Sequence, residues 1–289
     1  MRTAIFGDIH ANLEALDAVM SDSQKQEVTN YVCLGDVVGY NADPVACLNR
    51  IRDMDCPTVK GNHDMDASED NSLDSMNPVA ATALNWTREQ LDDDQRLWLK
   101  KLRMVRQVSD YTIVHSTLDQ PVHWNYVTNR FDAMSNFSYQ FTQLCFHGHT
   151  HVPRVYVKSD KVREVPAESV EIEKNAKYFI NVGSVGQPRD GDPRACYAIY
   201  DQKTKLIVFR RIDYDLKKTQ KKIQKKTQTQ KQTRWLFPFR NFMHPSFIEI
   251  LYLMIAVGVV FRICMIASIL VVLDLVHLEK RKIEHMKHF

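Results

Sequence analysis

The sequence predicts an α/β fold, on three observations. Short apolar runs end repeatedly in Gly, Asp, Asn or His, and stretches with apolar residues at helical spacing follow them. Strand-like and helix-like segments therefore alternate along the chain as far as about residue 213. A content of 44% hydrophobic and 25% charged residues over 289 positions is ordinary for a globular protein, with core enough for one large domain or two modest ones.

Thr3 to Phe6 is the first apolar run; it ends in Gly7, Asp8, Ile9 and His10, after which Leu13, Leu16, Val19 and Met20 recur as one face of a helix. Tyr31 to Leu34 repeats the pattern into Gly35 and Asp36, and a helix is expected from about Asp43 and Pro44, with Asp43 as its N-cap. Thr58 and Val59 lead to Gly61, Asn62, His63 and Asp64. Residues 78 to 102 read as helical, with Trp86, Leu91, Trp98 and Leu102 supplying apolar faces. Tyr111 to Val114 is a strand ending at His115, and a further helix is expected over 131 to 141. Leu144 to Phe146 reaches His147, Gly148, His149, Thr150 and His151, and Tyr178 to Val182, Cys196 to Tyr200 and Leu206 to Ile212 are strand-like.

A formal charge of +3 is too small to mark a nucleic-acid binder by composition alone. The six cysteines have no CxxC spacing and no apolar leader opens the chain, which predicts reduced, buried thiols and a cytoplasmic main domain. Charge is unevenly placed, however. Lys217 to Arg234 holds seven lysines and one arginine with no acid, and the lysine pairs at 217/218, 221/222 and 225/226 would stack like charges on one helix face. An acidic neighbour would offset that repulsion; anionic lipid and nucleic acid are two candidates, beside a plain solvated linker. Ile250 to Leu273 is apolar except for Arg262, and at ~1.5 Å per residue a helix there reaches about 36 Å, enough for a bilayer core. The alternative is a buried helix or an incidental tail. The expected organisation is a catalytic domain at 1–215, a basic linker at 216–246, a candidate transmembrane helix at 247–278 and a basic tail at 279–289. The catalytic domain would then be held at the inner face of a membrane. Nothing in the sequence fixes an oligomeric state.

Asp8, His10, Asp36, Asn62, His115, His149 and His151 each follow a strand directly or within a turn. In open α/β sheets ligands collect beyond the carboxyl ends of strands, so these side chains are expected to converge. Seven oxygen and nitrogen donors are too many for one tetrahedral structural site but suit two ions that share a carboxylate and leave positions open. Carboxylate, amide and imidazole donors without thiolate accept Mn, Fe, Zn, Ni or Co.

Asp8-Ile9-His10, Gly35-Asp36, Gly61-Asn62-His63-Asp64, the separate His115 and Gly148-His149-Thr150-His151 together resemble, in order and spacing, the calcineurin-like metallophosphoesterase superfamily. Ala11-Asn12-Leu13-Glu14-Ala15-Leu16 and Gly183-Ser184-Val185-Gly186-Gln187-Pro188-Arg189 are similar to a small bacterial branch of it. The resemblance implies a two-sheet sandwich flanked by helices and two divalent metal ions. Asp8, His10 and His151 would hold one ion, Asn62, His115 and His149 the other, and Asp36 would bridge them.

It further implies hydrolysis of a phosphomonoester or phosphodiester by a hydroxide generated between two cations about 3.5 to 4 Å apart. His63 would stabilise the transition state or protonate the leaving oxygen, with Asp64 or a nearby acid orienting it. Arg189 either grips a substrate phosphate or pairs with Asp190 or Asp192. Gly183, Ser184 and Gly186 either present amides to an anion or form a tight turn. His123, Trp124 and Tyr126 either line a pocket or pack. Val182 and Ser116 stand where the branch prefers Pro and Gly, and Val37-Val38-Gly39-Tyr40 lacks the Asp-Arg-Gly of the protein serine/threonine phosphatases. The competing class is a non-catalytic metal-binding scaffold on the same fold.

Overall fold

The computed structural model describes residues 1–236 apart from Ser75, with side chains described through 226. In chain order the strands are β1 (Arg2–Phe6), β2 (Asn30–Cys33), β3 (Val105–Val108), β4 (Tyr111–Val114), β5 (Leu144–His147), β6 (Arg154–Lys158), β7 (Val162–Val165), β8 (Ser169–Glu171), β9 (Lys177–Asn181), β10 (Ala195–Asp201) and β11 (Leu206–Ile212). The helices are α1 (Leu13–Lys25), α2 (Pro44–Asp53), α3 (Asn62–Ser68), α4 (Pro78–Gln90), α5 (Asp93–Lys101), α6 (Arg130–Tyr139) and α7 (Leu216–Leu236).

Two mixed sheets form, ordered β2-β1-β10-β11-β8 and β3-β4-β5-β9-β6-β7. Within them β1 and β2 run parallel, as do β4, β5 and β9. The period-two alternation of each strand sorts its side chains into layers. Ile5, Val32, Phe146, Ile180, Ala198 and Tyr200 share one core contributed by both sheets. Their strand neighbours Ala4, Phe6, Tyr197 and Ile199 turn instead to a second core with Leu16, Val19, Leu48, Leu84 and Leu99 of the helices. Cys145, Tyr156 and Phe179 turn the other way, onto Ala133 and Phe137 of α6. The result is the expected sandwich of two sheets between helical layers. All five described cysteines are free thiols.

The single helix expected over 78 to 102 is two. Asp92 breaks it: its carboxylate accepts from the Gln95 amide at 2.7 Å, and the Gln95 side chain accepts from the Asp92 amide at 3.1 Å. This reciprocal cap restarts the chain as α5. Asp43 occupies the N-cap position of α2 but makes no side-chain cap; its carboxylate takes Lys222 Nζ at 2.6 Å instead.

That contact holds the start of the basic segment against the domain. Residues from Leu216 onward form α7, and the compact unit runs from Met1 to Lys226, past the boundary expected at 215. Two lysines of the row have acidic neighbours within the domain. Lys218 Nζ lies 3.1 Å and Lys222 Nζ 2.6 Å from the buried Glu14 carboxylate, and Thr219, 4% exposed, donates to Asn12 Oδ1 at 3.1 Å. Removing Glu14's charge as Glu14→Gln should loosen this docking. A charged hydrogen bond contributes ~1.5–3 kcal/mol, so tryptic cleavage between 217 and 226 is expected to accelerate about tenfold. An unchanged digestion rate would mean that the ion pairs do not hold the helix.

The rest of the expected linker from 237, the candidate span at 247–278 and the tail at 279–289 lie outside the described residues. Among the described residues, no helix is long and apolar enough to cross a membrane.

Candidate metal centre

The parallel strands bring their carboxyl ends to one edge of the sandwich. Asp8 and His10 follow β1, Asp36 follows β2, His115 follows β4, His149 and His151 follow β5, and Asn62 opens α3. Backbone conformation turns the side chains inward: φ is +50° at Asp8, +47° at His10, +50° at Asp36, +69° at His149 and +62° at His151. Left-handed backbone at a non-glycine residue is costly and collects at functional sites. Close approach does the rest. A Cβ at position 148 would lie 2.3 Å from Asp8 Oδ2, so only glycine lets the β5 loop close over that carboxylate.

Two groups of donors result, with the ligand atoms in each within 4.8 Å of one another: Asp8, His10, Asp36 and His151, and Asp36, His115 and His149. Asp36 belongs to both. Its Oδ2 is 3.6 Å from His10 Nε2 and 3.3 Å from His115 Nε2. Asp8 Oδ1 is 3.3 Å from His151 Nε2.

The other nitrogen of each imidazole is tied to a backbone carbonyl. Nδ1–H donates from His10 to Val38 (3.2 Å), from His115 to Leu34 (2.7 Å) and from His151 to Gln187 (2.6 Å), while His149 donates through Nε2 to Trp124 (2.8 Å). These bonds fix the ring orientations and turn Nε2 of three rings and Nδ1 of the fourth toward the centre. His115 Nε2 and Asn62 Oδ1 are buried without a hydrogen-bond partner, and His10 Nε2 faces His151 Nε2 at 3.0 Å. Two lone pairs at that separation repel, whereas a cation with metal–nitrogen distances of ~2.0–2.1 Å fits between them. The donor set therefore fits a divalent metal.

Electrostatics agree. Burial alone would lower His115, but the carboxylates of Asp36 and Asp8 outweigh it and push it up to about 9. Burial likewise opposes ionisation of Asp8, yet His151 and His115 hold it at about 2. His149 is kept neutral down to about 4 by burial and by His115. The carboxylate charge at this centre thus favours a cation.

The model of the calcineurin-like phosphoesterase superfamily domain matches residues 1–205. The chain belongs to that superfamily. It is 36% identical over 224 residues to an uncharacterized protein of Methanocaldococcus jannaschii, covering 76% of this chain and 90% of that one. It also resembles the crystal structure of a metallophosphoesterase from Sphaerobacter thermophilus, with 37% identity, a TM-score of 0.69, and 78% and 94% of the two chains covered. A hypothetical protein of Pyrococcus horikoshii shares the fold at 16% identity, with a TM-score of 0.65 and 78% and 93% covered.

Around this superfamily centre the remaining expectations separate. His63 is 4% exposed, stands edge-on to His10 at 4.8 Å, and leaves Nδ1 unpartnered. Gly39 makes room for it: at φ +90°, an added Cβ would meet His63 Nδ1 at 2.5 Å. Asp64 is engaged by backbone amides. Its carboxylate accepts from the amides of Val37 (2.9 Å), Val38 (3.3 Å) and Gly61 (3.1 Å), which clamps the Asp36 loop against the start of α3. Arg189 is not the partner of Asp190 or Asp192, which pair with Arg211 and Arg194. Its guanidinium lies 5.9 Å from the Tyr40 ring, and Tyr40 in turn packs on His10 and His63. The amides of Val185 and Gly186 are spent on the carbonyls of Gly7 and Asp8, so the 183–186 segment is a packed turn.

Two positioning residues escaped the sequence reading. Asn181 donates to the Gly148 carbonyl at 2.6 Å and to Thr150 at 3.0 Å, bracing the loop that carries His149 and His151. Asn41 donates to the His10 carbonyl at 2.8 Å. Asn181 ends a buried strand on the same sheet edge, and that placement was its only signal.

Proposed function

We propose that the chain hydrolyses a phosphomonoester or phosphodiester with two divalent metal ions that share Asp36. The observation that carries this reading is the membership of Asp36 in both donor groups, through a single oxygen that faces His10 and His115. Asp8, His10 and His151 would hold one ion, and Asn62, His115 and His149 the other. Bound there, the ions would supply charge for the phosphoryl oxygens and lower the pKa of an attacking water.

The chain's own residues would do the rest. The carbonyls of Val38, Leu34, Gln187 and Trp124 hold the imidazoles in their ligating tautomers. Burial lowers His63's pKa despite Asp36, which favours a neutral ring that donates a hydrogen bond to the phosphoryl or leaving oxygen. Arg189, free of the neighbouring aspartates, would balance the substrate's negative charge.

The test is hydrolysis of para-nitrophenyl phosphate and bis-para-nitrophenyl phosphate by the full chain with Mn²⁺, beside a chelated sample. Turnover that needs metal is expected, and the preferred ester assigns the class. A folded, metal-loaded protein that cleaves neither ester would favour the scaffold instead.

A further inference from the structure

The aromatic residues on the 121–126 segment are arranged for more than packing. The segment holds a short 3-10 turn at Pro121–His123, flanked by Gln120 and Trp124 at φ +52° and +54°. It is also tied to the metal centre, because the Trp124 carbonyl accepts His149 Nε2–H at 2.8 Å and the Trp124 ring stands edge-on to His115 at 5.9 Å. Tyr126 leaves this segment and lays its ring on His149, centroids 4.3 Å apart and planes 29° apart. Yet 54% of Tyr126 remains exposed. Tyr126 thus covers a candidate ligand and still leaves much of its surface to solvent.

We propose that Tyr126 is a stacking platform for a planar ring carried by the substrate, making that substrate a nucleoside or aryl phosphoester. The assignment rests on the phosphoesterase reading of the metal centre. Tyr126 stacks on His149, a member of one donor group, so a ring held on Tyr126 would neighbour that group. Aromatic stacking tolerates any flat ring, so Tyr126 selects for planarity without reading a hydrogen-bond pattern.

Three slowly hydrolysed or non-hydrolysable anions separate the cases: benzylphosphonate carries an aryl ring, adenosine 5′-thiophosphate a nucleobase, and butylphosphonate no ring. Their dissociation constants would be measured by calorimetry on the Mn²⁺-loaded full chain, wild type beside Tyr126→Leu and Tyr126→Phe. Tyr126→Leu is expected to weaken at least one ring-bearing ligand about five- to a hundredfold. Butylphosphonate should change less than about twofold, and Tyr126→Phe should restore binding. Which ring responds names the source. Equal weakening of butylphosphonate, or no weakening of either ring-bearing ligand, overturns the assignment. Turnover of the two nitrophenyl esters, measured in parallel, keeps the readings apart. Turnover without the binding difference removes the platform alone, and the binding difference without turnover removes hydrolysis alone.

Discussion

Asp36→Asn is expected to lower metal-dependent turnover by about a thousandfold or more. The substitution keeps the shape of the side chain and an oxygen able to accept from the His63 amide, now at 2.8 Å from Asp36 Oδ1. What it removes is a buried negative charge that two donor groups share. Charge stabilisation by bound metal contributes several kcal/mol to such a reaction, and each 1.36 kcal/mol is a factor of ten in rate, so losing ~4 kcal/mol gives this magnitude. The metal-free variant should unfold at a lower temperature than the metal-free wild type, because the buried carboxylate, held ionised by His115 and His63, is lost and His115 is left without its charged partner. Measuring kcat with Mn²⁺ beside the melting temperature separates the two effects. A variant that folds, binds metal at full stoichiometry and turns over normally would show that Asp36 bridges nothing.

Metal should also stabilise the fold, and more so at higher pH. A ligand that binds only the native state at about a hundred times its Kd adds ~2.7 kcal/mol, which for a domain of this size raises the melting temperature by ~5–10 °C. The sign of the pH dependence comes from His115. Its folded pKa, pushed up to about 9 by Asp36 and Asp8 against the effect of burial, means that metal must displace a proton from it at any lower pH. Asp8 at about 2 and His149 at about 4 are already deprotonated near neutrality and add nothing. Metal affinity is therefore expected to climb about tenfold per pH unit between pH 6 and 8 and to level off above 9. Thermal melts with and without Mn²⁺ at pH 6.5 and 8.5 check this; an equal shift at both would place the displaced proton elsewhere.

Much of this was legible in the sequence because strand ends punctuate it. Apolar runs stop at Asp8, Asp36, His115 and His147, and donors set in turns behind buried strands leave a residue-type signal with few other uses. The flanking strands β7 and β8 carry no such signal. Val162 to Val165 and Ser169 to Glu171 are short and largely exposed; β7 pairs locally with β6, while β8 pairs with β11, distant in sequence. The break between α4 and α5 was written in Asp92 and Gln95 but hidden by an apolar periodicity that runs through it. Asp64 illustrates the opposite difficulty. A carboxylate beside a histidine suggests an orienting partner, and only the fold reveals the three amides that donate to it. The docking of α7 depends on Glu14 and Asp43, far back along the chain, and no local pattern could announce it.

The left-handed backbone at five of the donor residues sets a direction for change over evolutionary time. Each such residue holds the native state at a disadvantage of roughly 1–3 kcal/mol that a glycine would relieve. Selection for catalysis is then the force that retains the strained side chains. A lineage released from that selection would gain robustness by drifting toward glycine at positions 8, 10, 36, 149 and 151, and the drift would be hard to reverse, since every step back reintroduces strain before a working centre exists to reward it.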